Sequence, residues 1–295
     1  MYISSNDYSS SGESSNSDDS FDSEFSLFEK PCNDIKSPLK NCGNTCYISA
    51  ALQILFLLPF IDIMFEFPKE DCSKIGESMK DLFNEMKSSN IAINPIDFIF
   101  NYRSNYPDEN DGGDSIDCLQ KLFEILNSNF EVNQTIYMFQ IKQNATCCNG
   151  HVFQRINEIE LCLELHLYNN QYKTIEDYIK NLFTEIKCPI EDKLVLCQYH
   201  NYIEPLPLII FIHPNRYYYS ADSQEAERLP FNINVSMHFD IGNTHYHFKA
   251  AILQYGGRNN GHYKAHICKN EKSYLYDDSL VEELHDTNLN FYNEK

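Results

Sequence analysis

The chain has 295 residues, 42% of them hydrophobic, with 20 Tyr and 20 Phe making up for the absence of Trp; that is enough for a sizeable core in one or two domains. Acidic residues outnumber basic ones 43 to 23, a net charge of -20, and this excludes nucleic acid as the expected partner, since no basic patch offsets the repulsion of phosphates. The charge suits a partner with a basic surface or tail, and solubility alone is an equally simple use of it.

Eleven Cys, an odd number, are scattered without disulfide-like spacing, and the polar, acidic N-terminus does not read as a signal peptide. A reducing compartment, cytoplasm or nucleus, is the expectation. The longest apolar stretch, Ile48 to Phe60, carries Gln53 and Pro59 and falls short of the ~20 residues of a membrane span. It reads as a buried helix, with no membrane partner.

Residues 1–36 form an acidic, Ser-rich tail with too few apolar residues to offset its ordering entropy, so disorder is expected there. Residues 37–295 read as the folded domain. Thr45 to Leu58 is apolar nearly all round, a helix buried on several faces, with Asn44 or Thr45 at its start and Pro59 at its end. Ile75, Met79, Leu82, Phe83 and Met86 recur at helical spacing within Lys74 to Met86. Asn94-Pro95 opens a short third helix. Asp114 or Ser115 caps a fourth, striped by Ile116, Leu119, Phe123 and Leu126, and Thr174 opens a fifth reaching Phe183. After about Lys187 strand patterns take over: Leu208 to His213, the alternating Ile233 to Phe239, then Phe248 to Leu253, Tyr263 to Cys268 and Ser273 to Tyr276. Helices first and sheet later argue an α+β fold.

Two places carry chemistry. Cys46 follows the loop Asn41-Cys42-Gly43-Asn44-Thr45 and opens the apolar helix. A thiol there faces helix N-terminal N–H groups and the positive end of the dipole, which stabilise a thiolate. The same groups can donate to a developing oxyanion, and Asn41 can add a side-chain amide. A Cys at a helix start is also, more simply, a small buried hydrophobe. His262 follows a Gly/Asn-rich loop and opens a strand, and the chain returns through Tyr274 to Asp277-Asp278, a hairpin that sets Asp277 beside His262. A carboxylate there would fix the imidazole tautomer and stabilise an imidazolium, completing a Cys-His-Asp arrangement. The plain alternative is a surface His near two solvated acids.

These residues resemble a known family. Leu39 to Gln53 (LKNCGNTCYISAALQ) is similar to the Cys box of the ubiquitin-specific proteases, and Gly256 to Val281 is similar to their His box. Gly113 to Leu119 (GDSIDCL) and Leu206 to Tyr217 (LPLIIFIHPNRY) resemble two connecting signatures in the right order. The resemblance covers about Ser37 to His285. It implies a papain-like cysteine protease fold, with a helical thumb, a β-rich palm and short fingers. It implies a thiol-dependent deubiquitinase that cuts after the C-terminal glycine of ubiquitin and needs no cofactor for catalysis. Ubiquitin and ubiquitinated proteins are then the partners, and a monomer is expected. By the same resemblance Cys46 is the nucleophile, His262 the base and Asp277 its orienter. Asp278 is then a supporting acid, Asn41 an oxyanion-hole donor, and Asp114 an acid that meets the basic tail of ubiquitin. Gly113, Asp117, Cys118, Gln254, Tyr274 and Ala50 depart from the family pattern without removing a triad member. The departures bear on tail binding and so on the choice between ubiquitin and a ubiquitin-like modifier. Two other readings stand beside these: a ubiquitin-binding scaffold without catalysis, and an unrelated thiol enzyme acting on small molecules, which the four ordered motifs make remote.

Many family members also hold zinc in the fingers through two Cys-x-x-Cys pairs. Cys148-x-x-His151 and Cys197-x-x-His200 are the candidate equivalents, with Cys147 and Cys188 competing for the roles. Only five residues separate His200 from Leu206, and counting back from Leu206 favours Cys188, which leaves no clean ligand pair. A degenerate site without metal is the expectation.

Overall fold

The computed structural model describes residues 2–4, 37–109, 112–166, 187–188, 193–194, 197–215, 217–219, 226–228, 233–234, 237–256, 261–269, 272–285 and 290–291. The expected helix from Thr174 to Phe183 lies outside the described residues, as does most of the tail. Tyr2–Ser4, counted in that tail, forms a strand antiparallel to Ile209–Phe211.

The chain divides into two compact units. The first, here the helical unit, comprises Tyr8–Asn133 with Lys249–Lys295. Its central helix, Cys46–Phe56, is buried at every position from Tyr47 to Phe56, so Cys46 alone on this helix is not buried. That is what an all-round apolar sequence requires: with no polar face to give to water, the helix is enclosed. Pro59 follows its end, and a short helix not foreseen from the pattern, Ile61–Met64, continues the chain. Lys74–Ser88 buries the expected stripe of Ile75, Met79, Leu82, Phe83 and Met86. Ile96–Asn105 follows Asn94-Pro95, and Ser115–Asn129 is capped by Asp114. On this last helix Ile116 is only half buried, and the buried face is carried by Cys118, Leu119, Leu122, Phe123, Ile125 and Leu126. Phe56 and Phe65 each meet Phe83 edge-on with centroids 5.5 Å apart, and Phe65 meets Phe130 at 4.9 Å, a geometry that aromatic quadrupoles favour.

Antiparallel strands complete the helical unit. The end of Thr244–Tyr255 pairs with His262–Lys269, which pairs with Lys272–Asp277 and that in turn with Leu280–Leu284. The Cys46 helix packs on the His262 strand. Leu39 bridges to Ile93 in parallel, with Lys40 N–H donating to Ile93 C=O at 2.8 Å, and this ties down the chain just before the Cys loop.

The other unit, here the strand unit, comprises Met1–Asp7 with Gln134–Phe248. Phe139–Cys147 pairs on one side with Val152–Glu160 and on the other with Cys197–Ile203. Cys162–His166 lies parallel to Ile209–Asn215. Phe139, Ile141, Leu163, Leu165, Ile203, Ile210, Ile212, Ile241 and Tyr246 form its core. Most come from alternate positions, the period-2 face of half-buried strands. The Leu208-to-His213 reading corresponds to Ile209–Asn215, and of Ile233 to Phe239 the structure describes short strands at Ile233–Asn234 and His238–Ile241.

Candidate active site

The loop before Cys46 is held by its own side chains. Asn41 Oδ1 accepts from the N–H of Gly43 at 2.9 Å, from the N–H of Thr45 at 3.3 Å and from Thr45 Oγ1 at 3.2 Å. Thr45 Oγ1 in turn accepts from Cys42 N–H at 2.9 Å. Gly43 (φ 88°) and Asn44 (φ 51°) both sit in the left-handed region, which Gly adopts freely and Asn tolerates. The first bond of the helical ladder runs from Ser49 N–H to Thr45 C=O, so the amide of Cys46 precedes the ladder. Cys46 therefore stands half-exposed on a rigid turn at the positive end of a buried helix.

His262 and Asp277 meet as the hairpin argument requires. His262 Nε2 lies 2.6 Å from Asp277 Oδ1, and Lys264 Nζ lies 2.8 Å from Asp277 Oδ2. The register Ala265↔Tyr276, carried one residue further, sets Lys264 opposite Asp277, with His262 two residues earlier on the same face. Burial acts to raise the Asp277 carboxyl, but the hydrogen bonds from Lys264 and His262 and their charges outweigh it, holding the group below its ordinary value. With Nε2 engaged, Nδ1 is the ring atom left to face a thiol. His262 and Cys46 make no hydrogen bond with each other in this structure, although strand and helix pack together.

Asp278 is positioned by a turn. The strands Lys272–Asp277 and Leu280–Leu284 are joined through Asp278-Ser279, with Asp277 paired to Leu280 and Asp278 at φ 49°. From there Asp278 Oδ2 accepts from Asn41 Nδ2 at 3.0 Å. Side-chain donor or acceptor atoms of His262, Asp277 and Asp278 lie within 4.8 Å of one another. Cys46, Ser49, Gln53, Tyr263, Tyr276 and Asp278 line one cleft of the helical unit. A side-chain amide has two N–H donors, so Asn41 retains one beyond its bond to Asp278. Asp114 is exposed and already does structural work: Oδ1 caps its helix at Ile116 N–H (2.8 Å), and Oδ2 accepts from Tyr263 OH at 3.3 Å.

Two residues at the site escaped the sequence reading. Lys264 shares Asp277 with His262 and lies over the Tyr255 ring, 4.8 Å from its centroid; its two-residue spacing from His262 was the available signal. Arg103 Nη2 donates to Gly43 C=O at 2.6 Å, a clamp from a distant helix that no spacing marks.

Residues 38–293 match the sequence model described as ubiquitin carboxyl-terminal hydrolase. The chain belongs to that family. Among solved structures, this ubiquitin carboxyl-terminal hydrolase family member is similar to the SAGA DUB module (Ubp8, Sgf11, Sus1 and Sgf73) bound to monoubiquitin. That likeness has a TM-score of 0.72 at 14% identity and covers 89% of this chain and 68% of that one. It establishes the papain-like α+β fold. No curated protein matches the sequence.

The ubiquitin carboxyl-terminal hydrolase family requires no cofactor for catalysis. A Cys/His cluster able to hold a metal lies in the strand unit, with a ligand set that differs from the expected four. Cys147, His151 and Cys188 come together: His151 Nδ1 is 3.5 Å from Cys147 Sγ and 3.7 Å from Cys188 Sγ. Both thiols are buried, and the separations fit the edge of a tetrahedral zinc site, about 3.5 Å. Cys148 is excluded because it stands exposed in the turn closed by Gly150 N–H to Cys147 C=O. His200 is excluded because it alternates with buried Asn201 and stacks on Tyr202 with centroids 5.8 Å apart. Cys197 pairs with Cys147 in the strand register, and its side chain lies outside the described residues. The three residues supply three of the four ligands a structural zinc takes, and a zinc held there would cross-link two segments far apart in sequence.

Proposed function

We infer that the chain is a thiol-dependent deubiquitinase that hydrolyses the bond after the C-terminal glycine of ubiquitin. The observation that carries this reading is the 2.6 Å His262–Asp277 pair on a strand packed against the helix that Cys46 opens. His262 Nδ1 takes the Cys46 proton, and the thiolate attacks the glycine carbonyl carbon, forming the S–C bond. The oxyanion is held by the Cys46 amide at the helix start and by the remaining N–H of Asn41, each good donor contributing roughly 3 kcal/mol. Asp278 fixes the Asn41 amide. On collapse the C–N bond breaks, and the imidazolium gives its proton to the departing lysine amine. A water then loses a proton to His262 and attacks the thioester, releasing ubiquitin and regenerating the thiol. Exposed Asp114 would meet the basic tail, and the net charge of -20 favours such a partner. The monoubiquitin in the SAGA DUB module supports the choice of ubiquitin.

The test is hydrolysis of ubiquitin bearing a fluorogenic amide at its C-terminus. Turnover by the wild type, lost in Cys46→Ala and lowered about 10²-fold or more in His262→Ala, supports the reading. Binding of ubiquitin without turnover would replace the hydrolase with a scaffold, and turnover confined to a ubiquitin-like modifier would change the substrate.

A further inference from the structure

The hairpin His238–Ile241 and Thr244–Tyr255 carries a cluster that includes none of the site residues named above. Its register pairs His238 with His247 and Asp240 with His245. The intervening pair, Phe239 and Tyr246, faces the core of the strand unit, where Tyr246 is fully buried and donates to Pro207 C=O at 2.7 Å. Period-2 alternation then forces His238, Asp240, His245 and His247 onto the opposite face. Gly242 (φ 60°) closes the hairpin as the first central residue of a two-residue turn, fixing this register.

The three imidazoles are mutual neighbours. Ring centroids lie 4.5 Å apart for His238 and His247, 5.0 Å for His245 and His247, and 5.6 Å for His238 and His245. One ring nitrogen from each falls within 4.8 Å of the others. Asp240 Oδ1 lies 2.5 Å from His245 Nδ1. That bond fixes the tautomer and directs the lone pair to Nε2, as a carboxylate does behind a ligating histidine.

We propose that His238, His245 and His247 form a binding site for a divalent transition cation of the Zn²⁺ class, with Asp240 orienting His245. Three neutral imidazoles and one carboxylate are a nitrogen-rich, borderline-soft donor set. They do not suit Ca²⁺ or Mg²⁺, which require oxygen ligands. Small rotations of exposed or half-exposed rings close the present separations to the edge of a tetrahedral Zn–N site, about 3.3 Å. Three cationic imidazoles packed together would repel one another, whereas a single bound cation takes all three as neutral ligands. The site does not depend on the hydrolase reading.

The test is Co²⁺ titration of the metal-free full chain, read by visible absorption. Thiolate ligation at Cys147 and Cys188 adds a sulfur-to-metal charge-transfer band, which an imidazole site lacks. The proposal expects one equivalent of Co²⁺ without that band, displaced by Zn²⁺. This equivalent disappears in His238→Ala/His247→Ala, while any charge-transfer band is kept. Asp240→Asn should bind the same equivalent 10- to 100-fold more weakly. Should the double variant fail to fold, imidazole NMR of the wild type gives the answer: Zn²⁺ should shift His238, His245 and His247 together. Equal cobalt binding by wild type and folded variant, or no concerted shift of these rings, overturns the site.

Discussion

Lys264 and His262 share one carboxylate, each held to its own oxygen. Asp277 is held below its ordinary range in part by the Lys264 hydrogen bond. Lys264→Met removes that partner and lets the carboxyl rise, so protonation of Asp277 should begin at higher pH. The acid limb of kcat/KM should therefore move upward in pH, with the neutral-pH plateau lowered modestly; an unmoved limb would show that Asp277 does not govern it. A second histidine tests stability at higher pH. His266, 2% exposed, is pushed down by burial to about 4. An unfolded chain takes a proton there near its ordinary 6.5, while the folded one resists until about 4, so the unfolded state binds more protons between those values. Stability should then fall as pH drops through that window, by about 3 kcal/mol at the acid end. In His266→Leu that part of the slope should vanish, as read by denaturant melts from pH 7 to 4. At this scale the placement of Cys46, His262 and Asp277 was legible because each sits at a recognisable chain position: a helix start, a strand start, a hairpin end. Lys264 was within reach of the same period-2 logic. Arg103 was not, since its contact joins a helix to a loop 60 residues away in the chain, which no local pattern reports.

Among the elements, the helix Cys46–Phe56 was read with its ends nearly right because a continuous apolar run between a polar loop and Pro59 allows little else. The short Ile61–Met64 helix was missed, since one turn carries too few residues to show a period. The clamp on the Cys loop belongs to this scale. Arg103→Ala frees the Gly43 carbonyl and should let the thiol drift, lowering kcat/KM by up to ~10²-fold with the melting temperature little changed. Equal kcat/KM for wild type and variant would make Arg103 a surface contact only. Packing of Lys74–Ser88 offers a sharper structural test. A Cβ added at Gly76 would lie 2.5–2.7 Å from Asn129 side-chain atoms. Asn129 Oδ1 also accepts from Ser73 N–H and Oγ at 2.6 and 2.7 Å. Gly76→Ala improves helix propensity by about 1 kcal/mol, but it must push Asn129 off Ser73. A net loss of about 1–3 kcal/mol is expected, and a stabilised variant would show that Asn129 moves freely. The Cys/His cluster able to hold a metal illustrates the opposite case to the Cys46 helix. Spacing favoured Cys148 and His200, whereas a turn and strand parity turned both outward and brought Cys147 and Cys188 to His151 instead.

For the molecule as a whole, the order helices-then-strands was enough to read an α+β fold, and the structural likeness bears that out. The division into two units was hidden, because each unit is assembled from two separate stretches of chain, Tyr8–Asn133 with Lys249–Lys295 and Met1–Asp7 with Gln134–Phe248. Periodicity reports local structure and carries nothing about which distant segments close a unit. The site, by contrast, lies within the helical unit: loop, helix and hairpin all belong to it. The proposed activity rests on Cys46 acting as a nucleophile directed at the C-terminus of ubiquitin. Incubating the full chain with ubiquitin that carries a C-terminal electrophile, and weighing the intact products, tests it most directly. The account predicts a single covalent adduct with the wild type and none with Cys46→Ala. An adduct that persists in Cys46→Ala, or a wild type that stays unmodified at saturating ubiquitin, would contradict it.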